Sequence, residues 1–376
     1  MKVHITLIGK QPAPIYHGIV ATQPDKVVMV YSNDTLSVLN RLTANLSIPI
    51  QTILLHPTDA NSILTTAQRL AQQYTHDDIT VNISSGLKSW SHLFGITFQP
   101  LPNAHVIYMD QNNILWDYKT MTSRDDYQFD MDILFKLYGN PLDNYRPFSS
   151  YTSEDSVSAK TIESLRKHNY NVFNSLTTVL TREQENKLNH PSGLFLATDG
   201  CSSVEWDRKE NWAKVVLNNK KWGVKQEVIQ SPNAISLLFH CGWFEYKVAR
   251  MISHWSHAKE IRLNCIFPLR QTHTAKGGTT KNEIDIIVNT GRKLLFVECK
   301  TNITSSLDID KFRNAVNNYG GMGSKALFVT DNKMTDLQKE KCRESSIISF
   351  SLAENEGNKE QILHKLLTEQ LLNINA

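Results

Sequence analysis

The run Asn282-Glu283-Ile284-Asp285-Ile286-Ile287-Val288, followed after a short polar break by Lys293-Leu294-Leu295-Phe296-Val297-Glu298-Cys299-Lys300, decides how the last third of the chain is read. Both runs are short and apolar, the first of them rich in β-branched residues, which predicts two strands. Alternate residues of a strand share a face, so Glu298 and Lys300 project together while Val297 and Cys299 face away. Asp285 lies on the first strand, with Ile284 and Ile286 on its opposite face. A hairpin through 289–292 would bring Asp285 into the neighbourhood of Glu298.

Two carboxylates held close repel, and burying them unpaired is costly. A divalent cation relieves both problems, and oxygen ligands of this kind suit Mg2+ or Mn2+. Such an ion activates a water and stabilises charge building on a scissile phosphate. Lys300 is placed to orient the nucleophile or to stabilise the pentavalent phosphorus centre. A surface ion pair at a strand end would account for Glu298 and Lys300. It would not account for the aspartate on its own strand, or for Glu245 upstream in Gly242-Trp243-Phe244-Glu245.

Around this pair, the pattern predicts a helix over 234–255 and strands over 261–267, 283–288 and 294–300. A helix at 309–318, a strand at 326–330, a helix at 335–344, a strand at 347–350 and a last helix at 360–372 complete a unit spanning 233–376. Residues 1–120 read differently: β-branched runs at 3–8, 27–31, 52–55, 79–83, 105–109 and 114–118 alternate with amphipathic segments. In 61–74, Ile63, Leu64, Ala67, Leu70 and Ala71 share one helical face, and Asp59 can cap the helix. This alternation predicts a Rossmann-like domain, a mostly parallel sheet with helices on both faces. Residues 121–232 read as a linker and mixed region: a polar stretch to about 150, one or two helices over 153–190, then the least periodic part of the chain. That last part interleaves Arg208, Lys209, Lys214, Lys220, Lys221 and Lys225 with Trp206, Trp212 and Trp222. A solvated face around core tryptophans is the plainer reading; a nucleic-acid ramp is the sharper one.

The whole chain, 376 residues with 40% hydrophobic and 20% charged, suits two or three packed domains. A net charge of +3 means that any nucleic-acid contact must come from local basic patches. The five cysteines form no CxxC pair, and neither they nor the histidines, among them His240, His254 and His257, show zinc spacing. Scattered thiols of this kind suit a reducing cytosol. The first residues are too polar for a signal peptide, and no stretch of about 20 apolar residues predicts a membrane helix.

The first strand ends in Gly9-Lys10-Gln11-Pro12 and the fourth in Asn82-Ile83-Ser84-Ser85-Gly86-Leu87-Lys88, the latter running into a helix. Both loops lie at the carboxyl edge of a parallel sheet, where such folds bind ligands. Hydroxyls, a glycine and helix N–H groups suit a phosphate, with Lys88 adding charge. Neither loop is GxGxxG or a Walker loop, which makes NAD and ATP poor candidates.

Glu245, Asp285, Glu298 and Lys300, in this order, resemble the PD-(D/E)xK nuclease pattern, with Ile284 where the family's proline stands. Asn82–Lys88 resembles the N-x-[ST]-[SG]-G-x-K loop of CARF domains. Together the chain is similar to CARF–PD-(D/E)xK effector nucleases of type III CRISPR antiviral defence, over roughly 1–120 and 233–350. The resemblance implies a restriction-endonuclease-like C-terminal domain and a cytoplasmic homodimer. It also implies a metal-dependent endonuclease, with Asp285 and Glu298 as metal ligands, that cleaves DNA or RNA when a cyclic oligoadenylate, most often cyclic tetra-adenylate, binds at the CARF interface. Ligand contacts are implied for Gly9, Lys10, Gln11, Pro12, Ser32, Asn82, Ser84, Ser85, Gly86 and Lys88. Two other readings stand beside this one: a constitutive restriction or repair nuclease, and a regulator that binds nucleic acid without catalysis. The intact charged set weighs against decay, and the Asn82–Lys88 loop weighs against a merely structural front domain.

Overall fold

Three sheets organise the chain in the computed structural model, which describes residues 1–126, 130–182, 191–239, 241–268, 282–303, 305, 307–321, 324–355 and 357–374. The first comprises β1 (Lys2–Leu7), β2 (Lys26–Tyr31), β3 (Ile50–Leu54), β4 (Asp78–Asn82), β5 (Ala104–Met109), β6 (Leu115–Asp117) and β7 (Thr122–Arg124). Their order is β3-β2-β1-β4-β5-β6-β7. The first five are parallel and the last two antiparallel. Near-continuous apolar strands require cover on both faces. Helices Ala60–Gln73 and Lys88–Phe98 place Ile63, Leu70, Trp90 and Phe94 against Val3, Ile5 and Leu7. Helices Ala13–Thr22 and Leu36–Ala44 place Ile15, Ile19 and Leu42 against Val27 and Met29 on the other side. The carboxylate of Asp59 accepts from the N–H groups of Asn61 and Ser62 at 3.1 and 3.2 Å, the cap expected from sequence.

Residues 121–232 hold far more structure than a linker. β8 (Asn144–Pro147) leaves this stretch to pair with the C-terminal sheet, and two helices follow, Ser153–His168 and Tyr170–Arg182. Residues 183–190, the end of the expected helical stretch, lie outside the described residues. β9 (Ser192–Leu196), β10 (Ser203–Asp207), β11 (Trp212–Asn219) and β12 (Gly223–Gln230) then form an antiparallel meander. Its inner face buries Val204, Trp206, Ala213, Val215 and Leu217. Its outer face still carries Leu194, Leu196, Val224 and Val228.

The third sheet has β13 (Glu260–Phe267), β14 (Asn282–Asn289), β15 (Leu294–Lys300), β16 (Lys325–Thr330) and β17 (Ile347–Ser351), in the order β17-β16-β15-β14-β13-β8. β14 and β15 are the predicted hairpin, closed by a Thr290–Lys293 turn. Ile286, Val288, Leu295 and Val297 pack toward helices Gly242–Ser253 and Lys359–Leu372. Ile287, Leu294 and Phe296 pack toward helix Leu307–Tyr319. The single helix expected over 234–255 is instead two, Ala234–Leu238 and Gly242–Ser253. Cys241 between them adopts a left-handed φ of 62°, which ends one helix and re-aims the next. His240 lies outside the described residues, whereas His254 pairs with Glu360 at 2.9 Å.

Helix Met131–Leu137 joins the outer units. Met131, Leu134 and Phe135 enter the core beneath β13–β15, while Leu137 and the half-buried Ile133 enter the core of the N-terminal sheet. The Phe135 ring meets Phe267 edge-on at 5.1 Å and Phe296 at 6.4 Å. Asp132 binds the Arg262 guanidinium through both carboxylate oxygens, at 2.5 and 3.1 Å. Truncating a fully buried phenylalanine removes its transfer energy and leaves a cavity. We expect Phe135→Ala to lower the unfolding free energy by about 3–5 kcal/mol, measured by urea titration; a change within error would show that this helix is not part of the shared core.

Candidate active site

Glu245, Asp285 and Lys300 line one cleft of about 660 Å³, together with Asn264, Glu283, Arg146 and Tyr151. Each is brought there by a local rule. Asp285 stands one step beyond the Ile286–Val297 pair, in register opposite Glu298. The ladder lapses at this point, and the Cys299 N–H donates to the Asp285 carboxylate at 2.7 Å instead. Lys300 donates to Glu298 at 2.6 Å. Glu245 arrives on the first turn of helix Gly242–Ser253. A Cβ on Gly242 would lie 2.0 Å from the Ser236 carbonyl oxygen, so only glycine allows the close turn that sets this helix. All four predicted residues therefore meet at one sheet end.

Sequence reasoning missed two of their partners. Asn264 falls between the Leu263–Ile286 and Cys265–Ile284 pairs, at an irregularity of β13, with a left-handed φ of 50°. Its amide donates to Glu245 at 2.9 Å and to Glu283 at 3.4 Å. Glu283 was legible by alternation, since it shares the face of Asp285. Asn264 carried no such signal, because a bulge cannot be read from a strand pattern.

The electrostatics follow from burial. Glu245 is raised well above the usual carboxylate range, first by burial and then by the charges of Asp285 and Glu283. Burial also raises Asp285, with Lys300 and the Cys299 N–H pulling the other way. Glu298 is pushed up to about 7 by burial and by Asp285. Burial alone would lower the Lys300 ammonium, but Asp285 and Glu298 outweigh it and leave it raised. A hard divalent cation fits this donor set, since it would hold the buried carboxylates ionised. Among the described residues no three His, Cys, Asp or Glu side chains are grouped to enclose an ion. Asp285 and Glu298 would supply two ligands, leaving the others to water and phosphate oxygens, as is usual for Mg2+.

The second group of predicted residues surrounds the carboxyl ends of β1 and β4, where the strand order reverses. The two loops touch: a Cβ on Gly9 would lie 2.5 Å from the Gly86 nitrogen and the Ser85 hydroxyl. Ser85 donates to the Gln11 carbonyl at 3.3 Å. Lys10 and Lys88 are exposed and Ser85 and Gly86 half-buried, all at this rim. Pro12 is buried at the start of helix Ala13–Thr22. Asn82 turns inward instead, donating to the Pro14 carbonyl at 3.1 Å and accepting from the Ser84 hydroxyl at 2.5 Å. Ser84 in turn accepts from the Met109 N–H at 2.7 Å. Ser32 is buried in a turn with Thr35. Asn82 and Ser32 are buried and brace the loops, while Ser84 is half-buried like Ser85 and Gly86. The Gln11 side chain accepts from the Tyr138 hydroxyl at 2.9 Å.

No protein-family model and no curated protein sequence matches the chain. Solved structures do. Can2 from Sulfobacillus thermosulfidooxidans, in complex with cyclic tetra-adenylate, superposes with a TM-score of 0.65 at 15% identity over 99% of each chain. Protein VC1899 from Vibrio cholerae gives 0.75 at 12% identity over 98% of each. A type III CRISPR defence DNA nuclease activated by cyclic oligoadenylate gives 0.59 at 14%, over 97% of this chain and 51% of that one. The likeness runs end to end and establishes the fold: a Rossmann-like unit followed by a restriction-endonuclease-like α/β unit. No helix among the described residues is long and apolar enough to cross a membrane.

The raised Glu298 carboxyl carries a stability consequence with a definite sign. A carboxyl whose folded pKa exceeds its unfolded one favours the fold at low pH, and that advantage is lost as pH rises toward about 7. In chelator-treated protein, Glu298→Gln should therefore be more stable than wild type at pH 8, by about 3 kcal/mol, and by no more than about 1 kcal/mol at pH 5. Urea titrations at the two pH values test this; equal differences at both would place the carboxylate in a solvated setting.

Proposed function

We propose that the chain is a metal-dependent endonuclease of type III CRISPR defence, switched on by a cyclic oligoadenylate. The observation that carries this reading is the convergence of Asp285, Glu298, Lys300 and Glu245 at one end of the third sheet. Fold likeness to Can2, solved with cyclic tetra-adenylate, and to a DNA nuclease of that system supports it.

Bound between Asp285 and Glu298, Mg2+ or Mn2+ would supply Lewis acidity toward a phosphodiester and toward the attacking water. The chain's own residues do the rest. The Cys299 N–H fixes one Asp285 oxygen and leaves the other for a ligand. Lys300 stays protonated and would stabilise charge on a non-bridging phosphate oxygen in the transition state. Asn264 fixes the Glu245 carboxyl at the edge of the cleft. This chemistry reads a phosphate and no sugar, so DNA and RNA are both within its range.

In this reading the switch is the β1–β4 rim. Lys10, Lys88 and the N–H groups at the start of helix Lys88–Phe98 suit ligand phosphates. The ligand would lie across two such rims in a homodimer, in the cytoplasm. The hydrogen bond from Tyr138 to Gln11 favours a gated enzyme over a constitutive one, because Tyr138 follows directly on the helix shared with the catalytic sheet.

We expect Asp285→Ala and Glu298→Ala to abolish cleavage with ligand binding retained, and EDTA to do the same to wild type. Cleavage at the wild-type rate by Asp285→Ala in Mg2+ or Mn2+ would remove the catalytic assignment. For the switch, Lys88→Ala should shift the activation midpoint for cyclic tetra-adenylate upward. Losing one charge-assisted contact removes about 1.5–3 kcal/mol of binding, and higher ligand concentration should restore cleavage. An unchanged midpoint in the dose–response curve would exclude this rim as the sensor.

A further inference from the structure

The catalytic cleft does not end at Arg146. A second groove, of about 310 Å³, continues from it and shares two of its residues, Arg146 and Ser236. The continuation leads to the turn between β10 and β11, with Arg208 and Asn211, and passes Pro232 and Asn233. The two compartments differ in charge. Glu245, Glu283 and Asp285 line the first, whereas the second has two arginines and no carboxylate among its lining residues.

The Arg146 side chain is held by its neighbours, whereas Arg208 is exposed and fixed through its backbone. Arg146, on β8, donates to the Ser236 hydroxyl at 2.6 Å, and its guanidinium lies 5.8 Å from the Tyr151 ring centre. Arg208 sits on a turn closed from three sides. Asp207 accepts from the N–H groups of Lys209 and Glu210 at 2.8 and 3.1 Å, and Asn211 takes a left-handed φ of 50°. The Arg208 N–H donates to the Pro191 carbonyl at 2.7 Å. Asn233 is fixed by two bonds to Asp155, at 2.9 and 2.8 Å. A planar guanidinium in fixed geometry matches a phosphate in two-point fashion. Two arginines lining one groove offer two positive charges to the phosphates of a strand.

We infer that Arg146 and Arg208 form a track for the phosphodiester backbone of a nucleic acid, leading the strand from the meander into the carboxylate cleft. The inference rests on the nuclease reading for the identity of the cleft, and it names where the substrate lies outside it. The track is local. Lys220 and Lys221, at the opposite end of the meander beyond β11, lie off it, unlike in a diffuse basic ramp.

The test uses the full chain with cyclic tetra-adenylate present and EDTA in place of divalent metal, so that binding is read without cleavage. Fluorescence anisotropy with a labelled single-stranded oligodeoxynucleotide and with its duplex gives affinity against salt. Arg208→Ala should lower the magnitude of the log–log salt slope by about 0.7 on the single strand or about 0.9 on the duplex, one phosphate contact. Arg146→Lys should weaken binding less than Arg146→Ala, since it keeps the charge and loses the fork. In metal, Arg208→Ala should raise KM with kcat unchanged, the pattern of lost uniform binding. Lys221→Ala should match wild type. If wild type cleaves while Arg208→Ala keeps the wild-type slope and KM, the track is wrong and the nuclease reading stands. An equal fall in slope for Lys221→Ala would replace the track with unspecific attraction. If wild type cleaves nothing yet Arg208→Ala still lowers the salt slope, the track stands and the nuclease reading falls.

Discussion

Carboxylates forced into the end of an apolar sheet are the constraint around which this molecule is arranged. Asp285 and Glu298 oppose each other where β14 and β15 stop pairing, inside a layer whose other side chains are isoleucine, valine, leucine and phenylalanine. Burying charge there is expensive, and the surroundings answer it one group at a time. The Cys299 N–H turns from the ladder to Asp285, Lys300 folds onto Glu298, and Asn264 leaves regular β geometry to reach Glu245. The answer is incomplete, since three carboxyls remain displaced toward the protonated form. An apolar sheet end would avoid this cost. Incompletely matched carboxylate charge is what sets this sheet end apart from the rest of the core.

How far the sequence discloses this depends on whether a residue's role is local. The β14–β15 hairpin was readable because alternation, an apolar run and a polar turn all agree within about 20 residues. The Rossmann-like unit was readable for the same reason, as was the Asp59 cap. The meander was not, because Leu194, Leu196, Val224 and Val228 put apolar residues on its solvent face and blur the period of two. The break before Gly242 was half legible: the glycine stands in the sequence, but the left-handed Cys241 gives no signal. Motif resemblance points to the β1 and β4 loops without distinguishing the parts their residues play in the fold. Asn82, Ser84 and Ser32 satisfy backbone and hydroxyl groups within the protein, and a motif cannot distinguish a residue that shapes a loop from one that faces outward. β8 and helix Met131–Leu137 escaped entirely, since their partners lie over a hundred residues downstream, at β13.

That helix has a further meaning for how the chain folds and breaks. Its residues belong to two hydrophobic cores at once, with Phe135 in one and Leu137 in the other, and its C-terminal carbonyl accepts from Arg41 at 2.6 Å. Neither flanking unit has a complete interior without it. Separating them at the apparent linker would leave a hydrophobic socket open on whichever half lost the helix, an invitation to aggregation rather than to an independent domain. Heat or denaturant should accordingly find no weak seam between the two halves. Their fates are joined by seven residues that look, in sequence, like a passage from one place to another.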